Sequence, residues 1–240
     1  MSRKIPVLEI FGPTVQGEGI VAGQKTMFVR TGGCDYRCSW CDSAFTWDGS
    51  QKPTPMAASE IMMELEEKGG NRFSHVTISG GNPALHAGIA DLLELFRDKG
   101  IESAVETQGS FWQDWLLAVD DVTISPKPPS SQMNTDWSRL DTFMTRLSER
   151  QKGNHSLKIV IFNEEDITYA KQVHNRYPGV PFYLQVGNDD LENPDPAHLR
   201  DQLLEKYEWL VERIMEDEQL NHVRVLPQIH ALLWGNKQGV

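Results

Sequence analysis

The chain has 240 residues, with 23 Lys plus Arg against 34 Asp plus Glu and a formal charge of -11; so acidic a chain repels polyphosphate, and direct nucleic-acid binding is excluded as a first reading. Its 39% hydrophobic, 24% charged and 9% aromatic content is that of a folded globular protein, long enough to bury roughly 70–75% of its unfolded surface without a disulfide. No apolar run reaches the ~18 residues of a membrane span, and the basic N-terminus meets Glu9 before any signal-length apolar stretch, so no membrane association or export is expected and a cytoplasmic location is.

Apolar runs then alternate with breakers. Residues 5–11 and 25–31, rich in Ile, Val and Phe, read as strands joined by the turn-forming Gln-Gly-Glu-Gly at 16–19. A cysteine-bearing loop, 32–47, follows. Residues 59–68 carry Ile61, Met62 and Leu65 on one helical face and stop at Gly69-Gly70. A strand is expected at 75–79, then Gly80-Gly81-Asn82-Pro83, a helix over 85–99 ended by Gly100, a strand at 103–107, a short Trp-bearing segment at 111–118 and a strand at 122–125. Beyond lie a helix at 137–150, a strand at 157–162, a helix at 164–176, a strand at 182–186, a long charged helix at 196–215 and a strand at 223–226. Strands separated by helices of this size imply a parallel α/β sheet with right-handed crossovers. About six strands follow the cysteine loop, fewer than the eight pairs of a full barrel. There is no repeat or linker, and 126–131 is too short to be one, so residues 1–240 read as a single domain.

All three cysteines, Cys34, Cys38 and Cys41, fall on that one loop as C-x3-C-x2-C. An odd, clustered set rules out a disulfide framework. Structural zinc and stable iron–sulfur clusters normally take four protein ligands, so three thiolates around one centre leave a coordination position open for a substrate or cofactor. The competing readings are a zinc knuckle completed by a histidine such as His75, and three buried reduced thiols; a Gly-rich polar loop argues against the latter.

In α/β folds of this kind ligands sit beyond the carboxyl ends of the strands. Those ends carry the cysteine loop, Ser79-Gly80-Gly81, Glu106-Thr107-Gln108-Gly109, Ser125-Pro126-Lys127 and Gln185-Val186-Gly187-Asn188. Glycines there admit a ligand to the backbone. Glu106 closes an apolar strand, where a carboxylate is costly unless something polar meets it. All five ends are expected on one face.

The cysteine spacing, with the aromatic Trp40 before the last thiol, resembles the radical S-adenosylmethionine (SAM) superfamily. That implies a partial (βα)6 TIM-like barrel, a 4Fe-4S cluster on Cys34, Cys38 and Cys41, and SAM at the open iron. More narrowly, Glu9-Ile10-Phe11-Gly12-Pro13-Thr14-Val15-Gln16-Gly17-Glu18-Gly19, Phe28-Val29-Arg30, Cys41-Asp42-Ser43-Ala44-Phe45-Thr46-Trp47, Ser125-Pro126-Lys127 and Leu226-Pro227-Gln228-Ile229-His230 resemble the 7-carboxy-7-deazaguanine synthase family, along essentially the whole chain. The resemblance implies conversion of 6-carboxy-5,6,7,8-tetrahydropterin to 7-carboxy-7-deazaguanine with loss of ammonia, in the pathway to queuosine and related deazapurines. SAM would be recycled, Mg2+ required, a flavodoxin-type protein the electron donor, and the assembly a homodimer.

The resemblance assigns residues too. Val15, Gln16, Gly17, Arg30, Ser79 and the C-terminal Val240 are expected around the pterin, with Glu18 and Arg30 as the candidate catalytic side chains. Trp40, Gly81, Glu106, Ser125, Pro126, Lys127, Gln185, Val186, Gly187 and Asn188 are expected around SAM, and Ser43, or in its place Thr46, beside magnesium. Chemistry agrees at one position: a carboxylated substrate needs a cation, and Arg30 can clamp a carboxylate bidentately. One position departs from the family pattern. The usual Gly-Gly-Glu is Gly-Gly-Asn, so any contact with the SAM amino group must come from the neutral amide of Asn82 or from backbone. Two other readings share the loop: a radical SAM activase whose substrate is a glycine of a partner protein, and a non-enzymatic zinc-binding interaction module.

Overall fold

In the computed structural model residues 3–240 are described; Met1 and Ser2, where the stretch read for an export signal begins, lie outside the described residues. The strands are β1 (Ile5–Val15), β2 (Lys25–Thr31), β3 (Thr54–Met56), β4 (His75–Gly80), β5 (Glu102–Thr107), β6 (Asp121–Ile124), β7 (Asn154–Ile161), β8 (Phe182–Val186) and β9 (Val223–Leu226). They form one sheet in the order β3-β1-β2-β4-β5-β6-β7-β8-β9. β2 and β4 to β9 run parallel, whereas β1 is antiparallel to β2 and β3. Among the described residues β3 and β9 do not pair, so the barrel is partial, with six parallel strands after the cysteine loop as expected.

The register sorts side chains into two environments. Val76, Ile78, Val105, Val122, Ile124, Leu157, Ile159, Ile161, Leu184 and Val186 face outward and are at most 2% exposed in the main core. They pack beneath helices α1 (Ala58–Gly69), α2 (Ile89–Lys99), α3 (Trp137–Ser148), α4 (Glu164–Arg176) and α5 (Pro196–Met215). The alternate positions, among them Thr77, Ser79, Glu106, Thr123, Ser156, Lys158 and Gln185, face inward and are polar. An apolar shell around a polar lumen is therefore encoded by period-two alternation. The segment 16–24 between β1 and β2 folds into that lumen against β6 and β7; a Cβ on Gly19, at φ +66°, would lie 2.8 Å from Thr123 Oγ1.

Local chemistry sets the helix ends. Asp136, Asn163 and Asp195 accept hydrogen bonds from first-turn amides of α3, α4 and α5, and Gly100 ends α2 in the left-handed conformation. Several boundaries move from the expected ones. α2 starts at Ile89, not 85, because Asn82 caps a separate 3-10 turn at Pro83–Leu85. β1 continues through a bulge to Val15, and β7 begins at Asn154. The short β3 and a sixth helix, α6 (Ile229–Trp234), were not anticipated; α6 packs on α5 through Ala231, Leu199 and Leu203. Among the described residues no helix is long and apolar enough to cross a membrane.

Candidate active site

A cavity of about 340 Å³ opens inside the barrel at the carboxyl ends of the parallel strands. Cys34, Cys38, Trp40, Cys41 and Ser43 of the cysteine loop line it, together with Ser79, Gly81, Glu106, Lys127 and Asn188 from the following strand ends. Val15, Gln16, Gly17 and Glu18 enter from the inward-folded segment, Arg30 from β2, and the C-terminal run closes it as far as Val240. Five residues expected from the strand ends stand back from the wall: Ser125, Pro126, Gln185, Val186 and Gly187. Val186 points outward into the core, and Gly187 lies against Phe162, whose ring would be 2.1 Å from a Cβ there. Gln185, also off the wall, is fully buried, and both its amide atoms lack a partner.

The cysteine loop is held open-sided. Gly33 and Gly81 press together so closely that a Cβ on Gly81 would sit 2.2 Å from Gly33 O and 2.9 Å from Cys34 Cβ. Among the described residues the three sulfurs are not gathered within 4.8 Å of one another; thiolates around a single zinc at ~2.3 Å would lie about 3.8 Å apart. His75 is 1% exposed on β4 with Nδ1 bonded to Thr26 Oγ1 at 2.8 Å, so it completes no knuckle. Burial pushes the Cys38 thiol up to about 11 and shifts Cys34 and Cys41 in the same direction, with Lys127 opposing it. A metal centre would displace those protons on binding. Trp40 is fixed by a bond from Nε1 to Ser130 Oγ at 3.0 Å and by a tilted contact with Phe162.

Arg30 forms a second corner. Its Nε donates to Glu9 Oε1 at 2.5 Å and Nη1 to Ser43 Oγ at 3.2 Å, and its carbon lies 5.4 and 5.5 Å from the ring centres of Phe11 and Phe45. The remaining donors of the fork have no protein partner among the described residues. Ser43 Oγ also donates to Asp42 Oδ1 at 3.0 Å. Thr46, by contrast, spends its hydroxyl on Ser43 O at 2.7 Å and is buried away from the cavity. One ligand-capable atom from each of Glu18, Asp42 and His230 lies within 4.8 Å of the other two. The Ser79 hydroxyl is buried without a partner.

Glu18 and Glu106 share a buried cation that the sequence reading missed. Lys158 on β7, 1% exposed at the side chain, bonds to Glu18 and lies 2.7 Å from Glu106 Oε1. Gln228 Nε2 adds a bond to Glu18 at 3.0 Å, and His230 stands 3.9 Å away. Burial disfavours charge on both Glu18 and Lys158. On Lys158 the carboxylates of Glu106 and then Glu18 outweigh it, and on Glu18 Lys158 and then His230 do, holding Glu18 well below the usual carboxylate range and Lys158 above the usual ammonium range. Asn82, where the family pattern has Glu, is fully buried and spent on the protein. Its Oδ1 accepts from Thr107 Oγ1 and Ala84 N, and its Nδ2 donates to Asp35 and Ser110.

Residues 28–125 match the Radical SAM superfamily. The crystal structure of QueE from Escherichia coli superposes with a TM-score of 0.67 over 94% of each chain at 20% identity, a likeness of fold. In sequence, 7-carboxy-7-deazaguanine synthase of Bacillus subtilis (strain 168) is 60% identical over the full length of both chains, and that of Bacillus cereus 58% over 99% of each. Agreement of this extent leaves the activase and zinc-module readings without support, and the chain belongs to the 7-carboxy-7-deazaguanine synthase family of radical SAM enzymes.

Proposed function

We propose that the chain, acting as one domain over residues 1–240, converts 6-carboxy-5,6,7,8-tetrahydropterin to 7-carboxy-7-deazaguanine and ammonia, serving 7-deazapurine biosynthesis. The observation that carries this reading is that Arg30, with guanidinium donors to spare, and the three-thiol loop face one cavity inside the barrel. Cys34, Cys38 and Cys41 would hold a 4Fe-4S cluster and leave an iron for SAM. Cluster and SAM, when bound and reduced by an external donor, supply the radical that abstracts hydrogen from the pterin.

The protein's own part is binding, orientation and exclusion of water. Arg30, preset by Glu9, Phe11 and Phe45, offers its free donors to the substrate carboxylate. Gln16, the backbone of Val15 and Gly17, and the unpartnered Ser79 hydroxyl suit the polar edge of a pterin, with Glu18 accepting from its ring donors. Glu106 suits the hydroxyl groups of SAM and the Trp40 face its adenine, with the orphaned Gln185 amide behind that wall. Ser125, Pro126, Val186, Gly187 and Asn188 belong to this reading as the backbone that sets those groups. Because Asn82 is saturated within the protein, the SAM amino group is left to backbone carbonyls at Gly80-Gly81. Ser43 with Asp42 gives the hard oxygens Mg2+ prefers, substrate and water completing its shell. Val240 closes the cavity over the substrate. A flavodoxin-type donor, a homodimer and a cytoplasmic location complete the proposal.

The test is an anaerobic assay of reconstituted protein with dithionite, SAM, Mg2+ and the tetrahydropterin, following 7-carboxy-7-deazaguanine by mass spectrometry. Product that requires both SAM and Mg2+ is expected. Cleavage of SAM without deazaguanine would sink the substrate assignment and spare the cofactors.

A further inference from the structure

Lys158 is the only inward cation of β7, set among Ser156, Val160 and the outward Leu157, Ile159 and Ile161. It does not line the cavity, yet both carboxylates it touches do. Glu18 comes from the inward-folded segment and Glu106 from the end of β5, while the inward residue of β6 level with Glu106 is the short Thr123. One ammonium therefore reaches across β6 behind two carboxylates whose side chains keep 15% and 26% exposure. Its three donors can serve both at once, which no neutral side chain of that length could do. A carboxylate this enclosed is otherwise expensive, and two carboxylates converging on one point repel.

We propose that Lys158 is a positioning residue that locks Glu18 and Glu106 into a single unit, so that the substrate end and the SAM end of the cavity are set together. The assignment of a ligand to each carboxylate rests on the function proposed above; the bridge itself does not. Gln228 and His230 hold Glu18 from its other side, so loss of Lys158 frees Glu106 more than Glu18.

The experiment uses cluster-reconstituted protein under anaerobic conditions, with calorimetric titration of SAM and, separately, of the tetrahydropterin with Mg2+. Lys158→Met keeps the stem and removes the charge. It is expected to raise both dissociation constants at least tenfold, whereas Glu106→Gln moves SAM alone and Glu18→Gln the pterin alone. Unchanged affinity for either ligand in a folded Lys158→Met protein overturns the proposal, because a purely packing role would leave both within about twofold. A stability cycle without SAM or pterin gives a second readout. Adding Glu106→Gln to Lys158→Met removes one of the two uncompensated charges, so the double variant should fold even where the single one does not, and melt higher. Should Glu106→Gln lower the melting temperature as much in the Lys158→Met background as alone, the bridge is refuted. If wild-type protein binds SAM but no pterin, the proposed substrate falls, while the SAM titration and the stability cycle still decide the role of Lys158.

Discussion

Arg30 and Glu9 face each other across the antiparallel β1–β2 pair, directly in register, with Nε 2.5 Å from Oε1. Each is about one-fifth exposed, 18% and 19%, so the pair is sheltered but not sealed. Such a pair contributes orientation more than stability.

Removing the guanidinium should therefore show in substrate binding. Arg30→Ala is expected to raise KM for the pterin by roughly a hundredfold, the loss of about 3 kcal/mol for a charge-assisted bidentate contact. SAM affinity should stay nearly intact. Glu9→Gln, which loosens the fork without deleting it, should cost about tenfold or less. Steady-state kinetics beside SAM titration would check this; a comparable loss of SAM binding in Arg30→Ala would refute the assignment.

Gly81 makes a sharper structural prediction. The 2.2 Å approach of its notional Cβ to Gly33 O involves backbone on both sides, so no side chain can swing away to admit a methyl. Gly81→Ala should push the cysteine loop off β4 and reduce bound iron and sulfide after reconstitution, while the helical circular dichroism signal remains. Full iron incorporation in this variant would mean that the loop tolerates the shift.

Much of this architecture was legible because it rests on local signals. Apolar runs rich in Ile, Val and Phe between breakers marked the parallel strands, and the thiol spacing with the Gly-rich strand ends located the cavity. The miss at Lys158 has a different origin. A lone lysine in Ser-Leu-Lys-Ile-Val-Ile signals an inward cation, but its partners are 140 residues away at Glu18 and on β5 at Glu106, and pairing across a barrel lumen carries no local pattern. Glu9, Gln228 and His230 escaped for the same reason. Helix α6 was overlooked because its six residues are too few for a periodic stripe. The α2 boundary moved because Asn82, visible in sequence as a departure, also acts as a cap.

That second use of Asn82 governs what restoring the family's glutamate would do. Its amide bridges Asp35, Ser110, Thr107 and the Ala84 amide at 0% exposure. Asn82→Glu would trade donors for a second carboxylate beside Asp35 and overfill the site. Expected is a destabilisation of about 3 kcal/mol or more, read as a lowered melting temperature, with no gain in SAM affinity. Tighter SAM binding at undiminished stability would show that the pocket still accepts the acid.

His75 gives the pH dependence. Burial lowers its pKa below the ordinary histidine value, and Asp121, Glu102 and Asp120 only partly oppose that shift; Nε2 has no partner. Burial lowers His86 and His155 in the same direction. A group whose folded pKa is depressed takes up protons more readily when unfolded. Its contribution to stability is then fully present above the unfolded pKa, about 6.5 for histidine, and is lost as pH falls below it. Each such histidine adds a slope of up to about 1.4 kcal/mol per pH unit while the native form stays neutral. Denaturant unfolding should therefore give a protein markedly less stable at pH 5.5 than at pH 8. His75→Phe should flatten part of that slope even though it forfeits the bond to Thr26, whose hydroxyl keeps Met27 O and Thr77 as partners. An identical slope in wild type and His75→Phe would assign the acid sensitivity to other groups.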